Sequence, residues 1–294
     1  MAAYGLWGLF PLFWPLLEPA GAVEILACRI VFSLLVVGVV LSLNRRLGGL
    51  LRLGRKALLR LGVAGVVITV NWGAYIWGVN SAQVVQTSLG YFINPLVTVA
   101  LSVVLLRERL RPVQLCALGL GLVAVAVLTW DYGQPPWLAL LLACSFGFYG
   151  LIKNQVGVSA PEGLFVEAAV MTIPAMAVLG VLASSGQATW VGADANVGHL
   201  LLLAAAGPVT AVPLLFFAGA AGRLPLSTVG MLQYLAPTMQ FLIGVLVRHE
   251  PLPAARLAGF VLVWTALAVL TAEAIHFRRH RRSGHASIHD SERA

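Results

Sequence analysis

The sequence predicts an all-α integral membrane protein with about ten transmembrane helices, arranged as two inverted five-helix repeats. Of its 294 residues, 60% are hydrophobic and only 10% are charged, whereas about a quarter of a soluble domain is charged. Apolar runs long enough to cross a bilayer recur along the whole chain. A motif that contains a proline also recurs about 140 residues after its first occurrence. The composition and the runs predict the membrane class, and the repeated motif predicts the two halves.

A helix that crosses a bilayer needs roughly 20 mainly apolar residues, and ten such runs can be identified. Their bounds are 2–17, 25–43, 60–79, 84–106, 113–130, 137–153, 163–182, 199–220, 226–247 and 254–276. The first run would form a helix of about 24 Å, shorter than the roughly 30 Å hydrocarbon core. It also contains Pro11 and Pro15, so we expect the first helix to lack a turn or two at its start. The basic tail, 277–294, is poor in apolar residues, and we expect it to be disordered.

The net charge of +8 is compatible with nucleic-acid binding as well as with a membrane protein, so the positions of the basic residues decide. With the N-terminus in the cytoplasm, all 19 Lys and Arg residues except Arg29, Arg248 and Arg256 fall on the cytoplasmic side. Membrane proteins carry such an excess of Lys and Arg in their cytoplasmic loops. We therefore expect both termini in the cytoplasm and no nucleic-acid partner.

The repeated motif occurs as "TSLGYFINPLVTVALSVVLLRERL" (87–110) and as "STVGMLQYLAPTMQFLIGVLVRHEPL" (227–252). The spacing from the proline to the glutamate is 13 residues in both copies, Pro95 to Glu108 and Pro237 to Glu250. Each repeat, 1–132 and 133–276, holds five spans. Because five is odd, the second repeat enters the membrane in the opposite direction. Inverted repeats with proline-interrupted helices at matching positions are typical of secondary transporters.

Several segments carry a resemblance to a known family. They are "AAYGLWGLFP" (2–11), "VEILACRIVFS" (23–33), "NWGAYIWGVN" (71–80), "SLGYFINPLVTVALSVVLLRERL" (88–110), "SFGFYGLIK" (145–153), "LSTVGMLQYLAPT" (226–238) and the final apolar span. Through them the whole chain resembles the EamA family of the drug/metabolite transporter superfamily, and most closely its RarD-type (chloramphenicol-sensitive) branch. The resemblance implies a ten-helix carrier of the plasma (inner) membrane, with a central cavity between two inverted halves.

The chain departs from the family pattern in two respects. Its N-terminus is shorter than is usual in the family. Arg107 and His249 stand where the family usually has glycine before the glutamate. Both substitutions bear on how tightly those helix ends can turn.

The two prolines mark the first group of candidate site residues. A proline inside a helix leaves the carbonyl four residues earlier without a donor, here Tyr91 for Pro95 and Gln233 for Pro237. We expect breaks in both helices, with a substrate site where the broken helices approach each other. The substrate-binding candidates at this level are Tyr91, Asn94, Gln233 and Tyr234. The alternative is a packing kink in which the amides form hydrogen bonds between helices.

The third span supplies a second group. Trp72 and Tyr75 are three residues apart, so they can share one helix face and form an aromatic wall for an organic solute. We expect Asn71 and Trp72 to line the cavity and bind substrate. Trp77 fits the cavity and the membrane interface equally.

Ionisable residues within the spans form the third group. Arg29 could bind a carboxylate of the substrate or pair with Glu24 or Glu18. Glu24 and Glu167 are candidates for proton coupling. Lys153 fits a side chain that extends to the interface, with a gating or substrate role as the alternative. Glu250 fits an ion pair or a helix cap, as does Glu108.

These features favour a secondary transporter of small organic metabolites or drugs that works by alternating access. We expect no catalytic residue, cofactor or metal, because the sequence contains no phosphate-binding loop, metal-ligand spacing or intramembrane nucleophile with a base. The expected partners are a small-molecule substrate, the lipid bilayer and protons. The alternative is a membrane-embedded enzyme that acts on a lipid-like substrate.

Overall fold

The computed structural model describes residues 1–50, 53–107, 110–191, 196–221 and 231–291, and these ranges contain no β-strand. Glu108 and residues 226–230 of the ninth predicted span lie outside them. The helices are α1 (Ala2–Gly8), α2 (Phe10–Phe13), α3 (Ala22–Leu43), α4 (Leu47–Leu50), α5 (Arg55–Asn80), α6 (Val84–Leu106), α7 (Pro112–Tyr132), α8 (Trp137–Val156), α9 (Ala160–Ser184), α10 (Val197–Ala221), α11 (Leu235–Leu242) and α12 (Ala254–Ser291).

Eight helices in the described part of the chain are long and apolar enough to cross a membrane. They are α3, the six helices from α5 to α10, and the first twenty residues of α12. They match eight of the ten predicted spans. The all-α, multi-pass membrane class is thereby confirmed.

The first predicted span is divided into short pieces. It consists of α1, α2 and a 3-10 turn at Trp14–Leu17. Pro11 and Pro15 fall near the start of the second and third pieces, where a missing backbone donor does not matter. The ninth predicted span is described as α11 followed by a π-helical turn, Ile243–Val247.

Helix α12 extends beyond the last predicted span. It continues to Ser291 and so includes most of the tail for which the sequence indicates disorder. Adding residues to an existing helix avoids the unfavourable nucleation step, which is the physical reason for such an extension.

The helices form two compact units. The first contains Met1–Tyr91 and Leu138–Pro251, and the second contains Phe92–Trp137 and Leu252–Ala294. These units are defined by packing, whereas the repeats 1–132 and 133–276 are defined by sequence and stay a prediction.

Helix α3 is the centre of the first unit, where it packs against α5, α9 and α10. The approach of α10 depends on Gly207, because a β-carbon there would lie 2.5 Å from Cβ of Phe32. Helix α11 is held to α1 by a hydrogen bond that Gln240 Nε2 donates to the carbonyl of Trp7 over 3.0 Å. The helices that carry the polar residues described below are therefore fixed by direct contacts.

The second unit is built on the antiparallel pair α7 and α12. An ion pair joins Arg256 Nε to Asp131 Oδ2 over 3.0 Å at one end of the pair. A second ion pair, between Arg111 and Glu273, joins the other end. These contacts fix the register of the two helices.

Candidate functional site

Helix α3 is apolar along most of its length but carries Arg29 deep within the first unit. The residue is 3% exposed, and its Nε and Nη1 atoms are buried without a hydrogen-bond partner. No ion pair of the described residues involves it. Its Cζ atom lies 4.0 Å from the ring centroid of Trp72, 5.0 Å from that of Trp14 and 5.7 Å from that of Phe10. Ring faces attract the charge but do not accept these N–H hydrogen bonds in the way an oxygen would.

Glu24 is not the counter-ion of Arg29. Its Oε1 accepts hydrogen bonds from the backbone N–H of Thr189 at 2.8 Å and from the Thr189 hydroxyl at 3.0 Å. Thr189 Oγ1 also lies 2.7 Å from Nε2 of His199. Glu18, the other acid considered for Arg29, is exposed. Glu24 thus ties the start of α3 to the segment between α9 and α10, and Arg29 keeps its unused donors.

Asn71 is fully buried, and both ends of its side-chain amide are hydrogen-bonded. Its Nδ2 donates to the carbonyl of Leu142 at 3.0 Å and to Ser145 Oγ at 2.9 Å. Its Oδ1 accepts a hydrogen bond of 3.1 Å from the hydroxyl of Tyr91. Asn71 therefore connects α5, α6 and α8 and orients Tyr91, a helix-joining role for a residue predicted to contact substrate.

The aromatic residues of α5 have different surroundings. Trp72 faces Arg29, whereas Tyr75 is buried, with a hydroxyl that has no hydrogen-bond partner. The ring of Tyr75 packs edge-on against that of Tyr91, with centroids 5.6 Å apart. Trp77 is 51% exposed, which fits the interface alternative rather than an enclosed wall.

The chain turns at Gln233 and Tyr234, which are both half-buried, before α11 begins at Leu235. Pro237 is the third residue of α11. Backbone donors in the first turn of a helix have no partner within the helix, so proline is tolerated there. The proline thus follows the turn at Gln233 and Tyr234.

Asn94 and Pro95 lie in the part of α6 that belongs to the second unit. The Asn94 Oδ1 atom is buried without a hydrogen-bond partner. Helix α6 is continuous through Pro95, so the break expected there is absent. The proline only deprives the carbonyl of Tyr91 of its hydrogen-bond donor. The hydrogen bonds of the turns before and after the proline keep this 23-residue helix together.

Glu167 is 2% exposed and is held by two side chains of α8. Lys153 Nζ lies 2.7 Å from Oε1, and the hydroxyl of Tyr149 donates to Oε2 over 3.2 Å. Lys153 therefore turns inward to a buried carboxylate instead of extending to the interface. This Lys153–Glu167 pair is the one ion pair in the described part of the first unit.

Glu250 acts as a helix cap, one of the two roles predicted for it. Its Oε1 accepts from the backbone N–H of Val84 at 2.6 Å, and its Oε2 accepts from that of Val85 at 2.7 Å. Both donors are among the first amides of α6, which have no partner within the helix. The outcome for Glu108 lies outside the described residues.

Three further side chains of this region escape prediction from the sequence, namely Trp14, Ser33 and Tyr149. Ser33 is four residues after Arg29, so helical spacing places both on one face of α3. Tyr149 precedes Lys153 by the same interval. The sequence does not predict the contact between Trp14 and Arg29, because the 3-10 turn that carries Trp14 approaches Arg29 only in the folded protein.

A metal site would require several ligands close together. The described residues contain no group of three His, Cys, Asp or Glu side chains placed to hold a metal ion. The buried polar groups near Arg29 that have no hydrogen-bond partner are instead hydrogen-bond donors.

Comparisons with known proteins agree on one family. Residues 1–130 match the model of the EamA-like transporter family. The chain is 55% identical over 284 residues to Protein RarD of Streptomyces exfoliatus, covering 96% of this chain and 89% of that protein. It is 42% identical to the uncharacterized transporter YojE of Bacillus subtilis (strain 168), covering 95% and 94% of the two chains. Protein RarD of Escherichia coli (strain K12) is 38% identical, with coverage of 95% and 94%.

A crystal structure of a protein with 21% sequence identity matches this fold with a TM-score of 0.58, over 94% of this chain and 96% of the other. That likeness concerns the fold alone. The sequence relatives go further, because their identity extends over nearly the whole of both chains. This chain belongs to the EamA-like transporter family, and its relatives include RarD proteins.

Proposed function

We propose that the chain is a secondary transporter that moves small organic metabolites or drugs across the plasma (inner) membrane by alternating access. The two repeats would form inverted five-helix halves that rock around a site near the middle of the bilayer, with both termini in the cytoplasm. In this proposal the protein is not an enzyme and uses no cofactor. Its partners are the substrate, the lipid bilayer and protons.

One observation carries this proposal: a buried arginine without a counter-ion, on a helix long enough to cross a membrane. Charged groups within membrane spans are rare, because they are expensive, and they usually mark substrate or ion pathways. A passive scaffold has no use for an unsatisfied guanidinium in its interior. A transporter does, because its ligand is absent for part of every cycle.

The substrate site would be built around Arg29 and Trp72. Asn71 would position Tyr91, which is held by the hydrogen bond between them. The remaining proposed contacts within the first unit are Gln233 and Tyr234, and Asn94 of the second unit stays a separate candidate for substrate binding. Asn94 offers a buried oxygen without a partner, a feature expected of a group that binds a solute donor.

Proton coupling is proposed at Glu167, with Glu24 as the second candidate. Protonation of Glu167 would remove its charge, and with it the attraction for Lys153. Because these residues join α8 to α9, loss of the pair would loosen one helix from the other. Glu24 would act similarly on its two hydrogen bonds from Thr189.

The test is uptake into liposomes that contain the purified protein, over a panel of metabolites and drugs, with and without an imposed pH gradient. We expect gradient-dependent transport of at least one solute, and loss of the gradient dependence in Glu167→Gln. Glu162→Gln is the matched control, because that carboxylate accepts a bond only from Ser159 in the same turn. Absence of all transport, together with turnover of a lipid, would contradict the proposal and favour the enzyme.

A further inference from the structure

The first unit contains a cluster of buried hydrogen-bond donors without acceptors. These are Arg29 Nε and Nη1, Trp14 Nε1, the hydroxyl of Ser33 and the hydroxyl of Tyr75. Buried polar groups are normally paired, so each exception needs an explanation. A missing acceptor explains all of them together, because the arginine and tryptophan groups can only donate.

These donors lie around one place. Arg29 and Ser33 share a face of α3, and the Trp14 ring is 5.0 Å from the guanidinium carbon. Tyr75 follows Trp72 by three residues on α5, and Trp72 is the ring nearest to the guanidinium, at 4.0 Å. We infer that this donor cluster (Trp14, Arg29, Ser33 and Tyr75) binds the carboxylate or a similar acidic group of the transported solute.

The charges nearby restrict the solute further. Of the two buried carboxylates in the described part of the first unit, Glu167 is paired with Lys153, and Glu24 Oε1 accepts the N–H and the hydroxyl of Thr189 at the start of α3. Neither carboxylate forms an ion pair with Arg29. The solute is therefore a net organic anion, and a zwitterion or a cation is disfavoured because its positive charge would meet Arg29 without a counter-ion.

The aromatic rings around the donor cluster indicate the kind of body that the solute carries next to its acidic group. The faces of Trp72 and Trp14 enclose the guanidinium, and Tyr91 packs edge-on against Phe146, with ring centroids 5.9 Å apart. Rings of this kind favour a flat, apolar body next to the acidic group. The inference rests on the proposed transport function and adds the substrate class: small ring-containing monoanions.

The experiment measures the melting temperature of the purified protein in detergent with four matched probes. These are 3-phenylpropionate, its neutral amide, 2-phenylethylamine and the zwitterion phenylalanine. A ligand that binds only the folded state raises the melting temperature. We expect the carboxylate to raise it by several degrees at millimolar concentration, and the other three probes to leave it unchanged.

Variants connect the response to the cluster. Arg29→Met should melt higher than the wild type without ligand, because it removes a buried charge that lacks a partner, and should lose the response to the carboxylate. Arg29→Lys keeps the charge and should show a smaller rise in melting temperature with the carboxylate. If Arg29→Met does not fold, this smaller rise in Arg29→Lys is the result that tests the inference. Arg60→Met is the control, since Arg60 is exposed and donates only to the carbonyl of Gln155.

Several results would overturn the inference. They are equal stabilisation by the amide or the amine, no stabilisation by the carboxylate, or an unchanged response in Arg29→Met. Transport assays separate this failure from failure of the proposed function. If neutral or cationic solutes are transported and the carboxylate gives no response, the transporter function is supported and the anionic substrate class is contradicted. If the carboxylate binds at Arg29 but no solute is transported, the anion-binding site is supported and the transporter function is contradicted.

Discussion

The cap that Glu250 places on α6 is a sharply testable contact of the first unit. Its carboxylate receives the backbone N–H groups of Val84 and Val85 at 2.6 and 2.7 Å, from residues 166 and 165 positions away in the chain. The same residue's backbone N–H donates to the carbonyl of Gly244 over 2.9 Å, which fixes the position of the carboxylate after the π-helical turn. Replacing Glu250 therefore removes one well-positioned interaction with a helix start.

The magnitude follows from the two bonds. A hydrogen bond to a charged group contributes about 1.5–3 kcal/mol, and the lower value applies where water has partial access. Two such bonds give about 3 kcal/mol, which includes the attraction of a negative charge to a helix N-terminus of about 0.5 kcal/mol. We expect Glu250→Ala to lower the free energy of unfolding by about 3 kcal/mol. Glu250→Gln keeps one neutral acceptor and should lose about half of that.

The assay is equilibrium unfolding in mixed detergent and SDS micelles, followed by tryptophan fluorescence. Glu162→Gln serves as the control, because the Glu162 carboxylate accepts only the Ser159 hydroxyl at 2.7 Å within its own helix turn. It should lose less than about 1 kcal/mol. Free energies of unfolding of both Glu250 variants within about 0.5 kcal/mol of the wild-type value would refute the capping argument. A loss in Glu162→Gln as large as that in Glu250→Ala would refute it as well.

Three other substitutions have expected signs, each measured by the same unfolding assay. Ala82 has a φ of 55°, so Ala82→Gly should stabilise the protein by about 0.5–1 kcal/mol, and a loss of stability would contradict this reading. A β-carbon at Gly90 would lie 2.8 Å from a backbone oxygen of α8, so Gly90→Ala should destabilise by about 2 kcal/mol, whereas Gly119→Ala, with nothing within 4 Å, should be neutral or stabilising. Lys153→Met leaves Glu167 buried without a cation and should destabilise by about 3–5 kcal/mol. The double variant Lys153→Met/Glu167→Gln should recover most of that loss. Equal losses of stability in Lys153→Met and in the double variant would show that the unpaired Glu167 charge does not cause the loss.

The helices that the sequence predicts well are those whose signal is local. A run of about 20 apolar residues specifies a spanning helix through its own composition, and eight of the predicted runs are such helices. The first run contains Pro11 and Pro15, and each of them removes a backbone donor from a helix. Its division into three pieces depends on where the chain turns between them, which composition does not specify.

The residues at two helix ends illustrate a further kind of local signal. Arg107 and His249 occupy positions where glycine is usual in the family, and their φ angles are 55° and 53°. The left-handed backbone is therefore kept even though the glycine is absent. Holding a side chain in this conformation costs roughly 1–2 kcal/mol at each site. The sequence pattern identified both positions, and only the backbone angles show that the turn survives.

The partners of polar residues could not be predicted, because they come from distant parts of the chain. The sequence favours the cavity for Asn71 and leaves Arg29 open between a substrate carboxylate and an ion pair. In the structure Asn71 meets Leu142 and Ser145, more than 70 positions away, and its amide is fully used. Arg29 meets ring faces and keeps free donors. The difference between a residue that joins helices and a buried residue with unpaired donors lies in these long-range contacts.

The pairing of the buried charges gives a physical reason to assign Arg29 to a ligand. Glu24 and Glu167 each have partners that stabilise a charge, whereas Arg29 has ring contacts that contribute up to about 2 kcal/mol. A buried charge without a partner costs several kcal/mol, so the rings offset only part of the penalty. An apolar residue at position 29 would make the empty protein more stable. In the inferred site an anionic solute would remove the penalty when it binds, and it would therefore favour whichever conformation closes the donors around it. Such a difference between the empty and the loaded protein is what an alternating-access carrier requires in order to change conformation with its load.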